Sequence, residues 1–276
     1  MPTLQTEDGI SLYYEDTGSG NPILFIHEFG GDYRSWAHQV PVFSQAYRCI
    51  TYSARGFLPS SVPDDRSQYG QVQATTDVLA VINHLDLTKV HLVGTSMGSF
   101  TCLDFSLKHP EHVLSVTLVG NSSGPRDEDE RKEYRRVWIG EEVRLREAQG
   151  NNGAVAVLEK DPAYQSLQQN EPAAWFTYAE NLRQQSVEGA IHILSTLHWN
   201  RHSLFDLEPK LRSFDKPVLL ITGDDDHYLV AETNAYLNRV LPNSVWHNFE
   251  GTGHLVNIEK SAEFNGLLKN FIASIY

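Results

Sequence analysis

The sequence lacks the features that mark membrane-spanning and disulfide-bonded proteins. No stretch reaches about 18 uninterrupted apolar residues, and the N-terminus has neither a basic start nor an apolar run. We therefore expect neither a membrane span nor a signal peptide. Only two cysteines occur, Cys49 in a predicted strand and Cys102 in a predicted helix, where a small buried thiol is usual. This cysteine usage favours a reducing, cytoplasmic location.

Basic residues and metal-binding patterns are also scarce. The chain has 22 Lys and Arg against 35 Asp and Glu, a formal net charge of −13. Such a charge repels phosphate backbones and anionic membranes, so we expect no nucleic-acid partner and no membrane partner. No Cys/His grouping resembles a zinc site, and no glycine-rich phosphate loop is followed by Lys. We expect no metal and no organic cofactor; the sequence leaves the oligomeric state open.

The apolar residues that are present alternate between short runs and helical stripes. Short runs rich in β-branched residues are typical of strands buried on both faces, and they occupy positions 23–26, 48–52, 90–93, 116–119 and 218–222. Helical spacing marks positions 72–85, 99–108 and 258–275. The alternation predicts a doubly wound α/β protein that binds ligands beyond the carboxyl ends of its strands. Residues 11–15, followed by turn residues 18–22, predict a first hairpin.

The alternation stops between about residues 121 and 214, where no convincing strand occurs. Helical segments are predicted at 126–149, 153–160, 172–185 and 187–197, separated by Pro and Gly. We interpret this region as a helical cap inserted into the sheet domain. The predicted division is a core of residues 1–121 and 213–276 and a cap of residues 122–212.

The most informative motif is Gly94-Thr-Ser-Met-Gly98, between a predicted strand and a predicted helix. Gly-x-Ser-x-Gly in this context holds the serine in a sharp, strained turn that exposes its hydroxyl. The turn also directs the Met97 N–H, at the start of a helix, toward a developing oxyanion. A chance match in a glycine-containing loop is the alternative. The flanking strand and helix favour Ser96 as a nucleophile.

Four motifs together resemble the α/β-hydrolase superfamily over essentially the whole chain. They are His27-Glu-Phe-Gly-Gly31, the Ser96 turn, Gly223-Asp-Asp-Asp226 and Gly251-Thr-Gly-His254. Their order is nucleophile, acid, histidine, as in the family. The resemblance implies a mostly parallel sheet of about eight strands with an inserted helical cap, and a catalytic triad. The protein is similar to its serine esterase-like members, since the superfamily's epoxide hydrolases and haloalkane dehalogenases have aspartate at the position of Ser96.

A serine needs a base and a carboxylate that orients the base. His254 lies in the glycine-containing turn that resembles the family's histidine turn, whereas His227 adjoins the acid turn and is a weaker candidate that could instead line the pocket. For the acid, Asp224, Asp225 and Asp226 all follow one strand. The family's acid stands three residues after the strand's last glycine, which selects Asp226 and leaves Asp225 next. Asp224 is expected to accept backbone N–H bonds in the turn.

The oxyanion turn departs from the family pattern. By resemblance, the Phe29 N–H is the second oxyanion donor beside that of Met97, but the usual glycine before it is Glu28. A carboxylate directed at the oxyanion would oppose its charge. We therefore expect Glu28 to turn away or to be bound by a cation or a backbone donor. His27 is expected to organise the turn.

These residues predict hydrolysis of a carboxylic ester or related acyl substrate through an acyl-enzyme. Lactone, thioester or carbon–carbon bond hydrolysis on the same triad stays open, as does a non-hydrolytic receptor, lyase or oxygenase on this fold. The expected partner is a small-molecule, ester-like substrate. Large side chains of the cap and the acid turn could line its pocket, although helix packing is the competing role; they are Trp138, Trp175, Phe176, Trp199 and His227.

Overall fold

A single eight-stranded sheet organises the chain, and the structure, a computed structural model, describes residues 2–276 of it. The strands are β1 (Thr3–Gln5), β2 (Ser11–Gly18), β3 (Pro22–Ile26), β4 (Arg48–Tyr52), β5 (Val90–Thr95), β6 (Val113–Val119), β7 (Val218–Gly223) and β8 (Ser244–Phe249). Their order is β1-β2-β4-β3-β5-β6-β7-β8. Strands β3 to β8 run parallel, whereas β2 pairs antiparallel with β1 and β4. The predicted mostly parallel sheet is confirmed.

Successive residues of the central strands pack on opposite faces of the sheet. In β3, Leu24 and Ile26 join one buried cluster, while Ile23 and Phe25 join another. Side chains alternate along a strand, so a continuous apolar run supplies both faces at once. Helices cover both faces, and the carboxyl ends of the parallel strands therefore form the accessible edge for a site.

The helices lie between the strands and in one long insertion. They are α1 (Val40–Phe43), α2 (Gln71–His84), α3 (Met97–Lys108), α4 (Glu128–Gln149), α5 (Asn151–Leu158), α6 (Pro162–Asn170), α7 (Pro172–Arg183), α8 (Val187–Ile193), α9 (Glu208–Ser213), α10 (Tyr228–Val240), α11 (Val256–Glu259) and α12 (Ser261–Ala273). Helix α8 continues into a π-helical turn, Leu194–His198. Short 3₁₀ turns occupy Tyr33–Trp36, Arg66–Gln68, Pro110–His112 and Leu204–Leu207. Helices α4 to α9 lie between β6 and β7, and this helical region fits the predicted cap.

Three details differ from the sequence-based expectations. The predicted hairpin of β2 with the next strand is wrong, because β4 lies between β2 and β3; the first hairpin instead joins β1 to β2. The predicted last helix is divided at Lys260 into α11 and α12. Strand β1 and helices α1, α6, α9 and α10 were not predicted. Among residues 2–276, none of the helices is both long enough and apolar enough to cross a bilayer.

Candidate active site

Ser96 lies at the carboxyl end of β5, directly before α3. Its backbone angles, φ 51° and ψ −111°, are in a region that non-glycine residues rarely occupy. A Cβ on Gly94 would overlap the backbone of Gly98, and a Cβ on Gly98 would overlap the carbonyl of Ile26. The two glycines thus allow strand and helix to approach closely around the serine. The predicted strained strand–turn–helix geometry is confirmed.

His254 is oriented by a carboxylate from the next strand-to-helix turn. Its Nδ1 lies 2.8 Å from Oδ2 of Asp226, and the side chains are 13% and 2% exposed. An ionised carboxylate only accepts hydrogen bonds, so Nδ1 carries the proton and Nε2 has a free lone pair. Burial alone would lower the pKa of His254, but the charge and hydrogen bond of Asp226 raise it above its ordinary value. The ring can therefore accept a proton at Nε2.

The His254 loop is fixed by two close approaches. The backbone N–H of His254 donates to the Ala163 carbonyl of α6 at 2.8 Å, and a Cβ on Gly253 would overlap that same carbonyl. On the sheet side, Gly120 has φ 58°, and a Cβ there would lie 3.0 Å from Cε1 of His254. Glycine at these positions lets the imidazole lie between the sheet edge and the cap.

The structure brings Ser96, Asp226 and His254 together around one cavity of about 190 Å³. The cavity lies between the carboxyl ends of the strands and the cap, where doubly wound sheets bind ligands. Trp138 and His227 also line it, together with Tyr134 and Tyr164, which the sequence did not single out. Tyr134 and Trp138 stand one helical turn apart on α4, with ring centroids 6.3 Å apart. That spacing was a usable signal for a shared pocket face.

Three of the predicted pocket residues do not line the cavity. Trp175 packs within the cap, with ring centroids 6.3 Å from Tyr164 and 6.1 Å from Tyr178. Phe176 is 64% exposed and Trp199 45% exposed. The prediction was wrong for these three residues because the size of an apolar side chain does not show which face of a helix points toward the cavity. Their side chains pack on neighbouring helices or meet solvent.

Two backbone N–H groups border the turn after β3 and the start of α3. Those of Phe29 and Met97 donate no hydrogen bond to any residue in the described chain. His27 organises the turn, since its Nδ1 lies 2.8 Å from the Glu28 carbonyl and its Nε2 accepts the Ala54 N–H at 3.0 Å. Because a carbonyl only accepts, Nδ1 must carry the proton. Nε2 accepts an N–H and carries none, so the ring is neutral. Burial also lowers the pKa of His27. Both ring nitrogens of His27 are bonded to backbone groups, so the residue has a structural role.

Glu28 is almost fully buried, with 1% of its surface exposed. Its Oε1 accepts the Ser35 hydroxyl at 2.9 Å, while Oε2 has no partner in the described chain. Burial raises the pKa of Glu28 to about 7. A cation, one of the partners expected for this carboxyl, does not bind it in the described chain. A hydroxyl binds it, and partial protonation near neutral pH reduces its charge.

Glu28 should therefore make folding stability depend on pH. The folded state keeps the proton up to about pH 7, while the carboxyl of the unfolded chain ionises near its usual value of 4.5. Stability should fall as pH rises from about 4.5 to 7. Glu28→Gln removes this loss, so urea unfolding should show a stabilisation about 3 kcal/mol larger at pH 8 than at pH 4.5. Exposed Glu263→Gln is the control, with equal effects at both pH values. An equal effect for Glu28→Gln would contradict the raised pKa.

Three polar residues of the helical region also line the cavity and were not predicted from the sequence: Arg135, His198 and Arg201. No local motif surrounds them. Arg135 lies one residue after Tyr134 on α4, and His198 ends the π-helical turn. Only their convergence in space marks them as a group.

Comparison with known proteins agrees with this architecture. The model of the alpha/beta hydrolase fold family matches residues 21–261. A chain of Synechocystis sp., provisionally named a non-heme chloroperoxidase, is 30% identical and 95% of each chain is covered. A 2-hydroxy-6-oxononadienedioate/2-hydroxy-6-oxononatrienedioate hydrolase of Burkholderia vietnamiensis is 26% identical, with 96% of this chain and 93% of the relative covered. A thermophilic esterase of Thermogutta terrifontis has the same fold, with a TM-score of 0.85, 23% identity, and 99% and 98% of the two chains covered. The chain belongs to the alpha/beta hydrolase fold family.

Proposed function

We propose that the protein is a serine hydrolase that cleaves a carboxylic ester or related acyl substrate through an acyl-enzyme. The observation that carries the proposal is the His254–Asp226 hydrogen bond at 2.8 Å in the cavity that Ser96 lines. A strained, partly exposed serine in the same cavity as an oriented imidazole is the arrangement that nucleophilic acyl transfer requires. We also propose that residues 122–212 act as the cap over this site.

In the proposed reaction, Ser96 Oγ attacks the substrate carbonyl carbon while Nε2 of His254 takes its proton. The N–H groups of Phe29 and Met97 stabilise the negative charge that develops on the carbonyl oxygen. The imidazolium then returns the proton to the departing alcohol, and an acyl-Ser96 ester remains. Water, activated by the same imidazole, hydrolyses this ester and restores the serine. Asp226 holds the ring in the required tautomer throughout.

A second reaction on the same triad is favoured by one relative. The Burkholderia vietnamiensis protein is named for a substrate with a 6-oxo group, a ketone instead of an ester. Attack on a ketone would release a carbon leaving group, which also needs a proton from His254. The name of the Synechocystis relative points instead to non-hydrolytic chemistry. A small-molecule substrate is common to all three possibilities, and the predicted cytoplasmic location stays a prediction.

Two reagents separate these possibilities in one preparation. A serine-directed fluorophosphonate should label Ser96, and an activated short-chain ester such as 4-nitrophenyl butyrate should be turned over. Labelling without turnover of any ester, lactone, thioester or vinylogous diketone would favour a receptor. Absence of both labelling and turnover would contradict the proposal.

The pH dependence of ester turnover should report the titration of His254. A general base works only when neutral, and Asp226 raises the pKa of His254 above 6.5. Activity should therefore fall as pH decreases, with the midpoint of the acid limb above pH 6.5. His227→Gln, the matched control in the same cavity, should keep this midpoint. A midpoint below about pH 6 in the unmodified protein would contradict the assignment.

A further inference from the structure

Arg201 reaches the cavity without any partner for its charge. Its guanidinium donates no hydrogen bond to the described chain, and no carboxylate lies within 4 Å. The guanidinium instead lies over the Phe100 ring, whose centroid is 4.4 Å from Cζ. Burial, with Arg135 as the second cause, lowers the pKa of Arg201 to about 9, which leaves it charged at neutral pH. Arg201 is partly buried, and a charge without a partner is costly where contact with water is restricted, so it indicates a missing anion.

Arg135 and His198 line the same cavity as Arg201, and they also have few hydrogen-bond partners. Arg135 forms no salt bridge in the described chain and donates one hydrogen bond, to the Trp199 carbonyl at 3.1 Å. His198 is 5% exposed, and neither of its ring nitrogens has a partner. Burial and the two arginines lower its pKa well below the usual value, so the ring is neutral. Apart from the Arg135 bond to Trp199, the hydrogen-bond donors of these three side chains have no acceptor in the described chain.

The acidic residues of the cavity do not neutralise these arginines. Asp226 is bound to His254, and Asp161 caps α6 by accepting the Ala163 N–H at 2.9 Å. The whole chain carries a charge of −13, yet the cap side of this cavity has two arginines that no carboxylate partners. Two positive charges without a carboxylate partner therefore face the cavity that Ser96 lines.

The backbone supplies a second, independent observation. His198 ends the π-helical turn Leu194–His198, and Arg201 follows three residues later. A π turn inserts one residue into the helical spacing, costs hydrogen-bond quality and occurs frequently at functional sites. Here it places the His198 ring between Phe29 and Trp138, with centroids 5.1 Å and 5.3 Å away. The π-helical turn thus brings His198 into contact with Phe29 of the turn after β3.

We propose that Arg201 and Arg135, with a neutral His198, bind a carboxylate that the substrate carries in addition to its reacting acyl group. A guanidinium matches a carboxylate through two parallel charge-assisted hydrogen bonds. The small cavity holds Ser96 and these donors together, so the substrate class is a short acid with a second, neutral acyl function. This inference rests on the proposed function in treating Ser96 as the point of attack. Binding at the anion site fixes which acyl group reaches the serine.

Binding to inactive protein tests the anion site without turnover. Ser96→Ala is titrated by calorimetry with the monomethyl esters of succinate, glutarate and adipate, and with the matching neutral dimethyl esters. Three lengths are used so that one spans the distance from Ser96 to the guanidinium. At least one monoester should bind more than about tenfold more tightly than its diester. In Ser96→Ala/Arg201→Met this ratio should fall to within about threefold of unity, and Arg201→Lys should keep part of it.

Two further variants make the result decisive. Arg144→Met removes an α4 arginine that pairs with Glu141 at the surface, at 2.7 Å, and should leave the ratio unchanged. If Arg201→Met does not fold, as judged by thermal unfolding, Arg135→Met decides, with an expected loss of at least about threefold in the ratio. Equal affinity for monoesters and diesters, or an undiminished ratio in the decisive variant, would overturn the proposal. Tighter binding of inorganic phosphate than of every monoester would overturn the choice of carboxylate.

The anion site and the proposed function can fail separately. If Ser96→Ala shows the monoester preference but the unmodified protein hydrolyses no acyl substrate, the anion site stands and the hydrolase proposal fails. If neutral esters are turned over without any preference for carboxylate-bearing ligands, the hydrolase stands and the anion site fails.

Discussion

Replacing Ser96 with alanine should lower turnover of acyl substrates by about 10⁴- to 10⁶-fold, because the attacking oxygen is the only group removed. The fold should persist, since alanine keeps the Cβ and the Ser96 N–H, which donates to the Val119 carbonyl at 2.8 Å. Steady-state kinetics with an activated ester, together with circular dichroism and thermal unfolding, measure the two effects separately.

Ser122→Ala is the matched control for this variant. Ser122 also lines the cavity, and its hydroxyl accepts the Gly124 N–H at 3.2 Å. Loss of that bond should change turnover by less than about tenfold. Residual activity of Ser96→Ala above about one per cent would identify another nucleophile or a water-based route, since triad deletions commonly cost several powers of ten.

Asp226→Asn should lower turnover by about 10⁴-fold while leaving the protein folded. The amide can donate to Nδ1, and the imidazole would then carry its proton on Nε2, where it cannot accept the proton of Ser96. The loss should therefore appear in kcat. The affinity for a substrate analogue that binds without reacting should stay the same. Single-turnover kinetics with the activated ester measure the chemical step directly.

The two neighbouring aspartates provide controls of the same chemical type. Asp224 accepts the Thr252 N–H at 3.3 Å, in the turn-capping role predicted for it, and Asp225 is exposed. Asp224→Asn and Asp225→Asn should each lose less than about tenfold. If Asp225→Asn were the impaired variant, the acid would be one residue earlier and the triad mechanism would stand. If none were impaired, the orienting carboxylate would lie elsewhere.

The sequence predicted those parts of the site that depend on backbone geometry. The Ser96 turn needs two glycines at a fixed spacing because Gly94 and Gly98 are in close contact in the fold. Five consecutive residues are therefore enough to predict this turn. The parallel strands were equally recognisable, since burial on both faces demands continuous apolar runs. The order of strands was less accessible: nothing local to Gly18 shows that β4 separates β2 from β3.

The side chains that converge on the cavity from the cap could not be predicted in the same way. Trp138 faces the cavity and Trp175 packs among helices, yet both are large aromatics on helices of similar character. The state of Glu28 depends on Ser35 and on complete burial, which only the folded chain provides. The sequence also could not show that Arg201 has no carboxylate partner. With 35 acidic residues in the chain, only the fold determines which arginines form ion pairs.

The bond between the His254 N–H and the Ala163 carbonyl, at 2.8 Å, limits how a ligand can enter and leave. If the six cap helices swung away as one lid, α6 would leave the histidine loop, and the base would lose its support at each opening. Movement of α4 or of the π-helical turn alone would leave this bond, and with it the position of the His254 loop, unchanged.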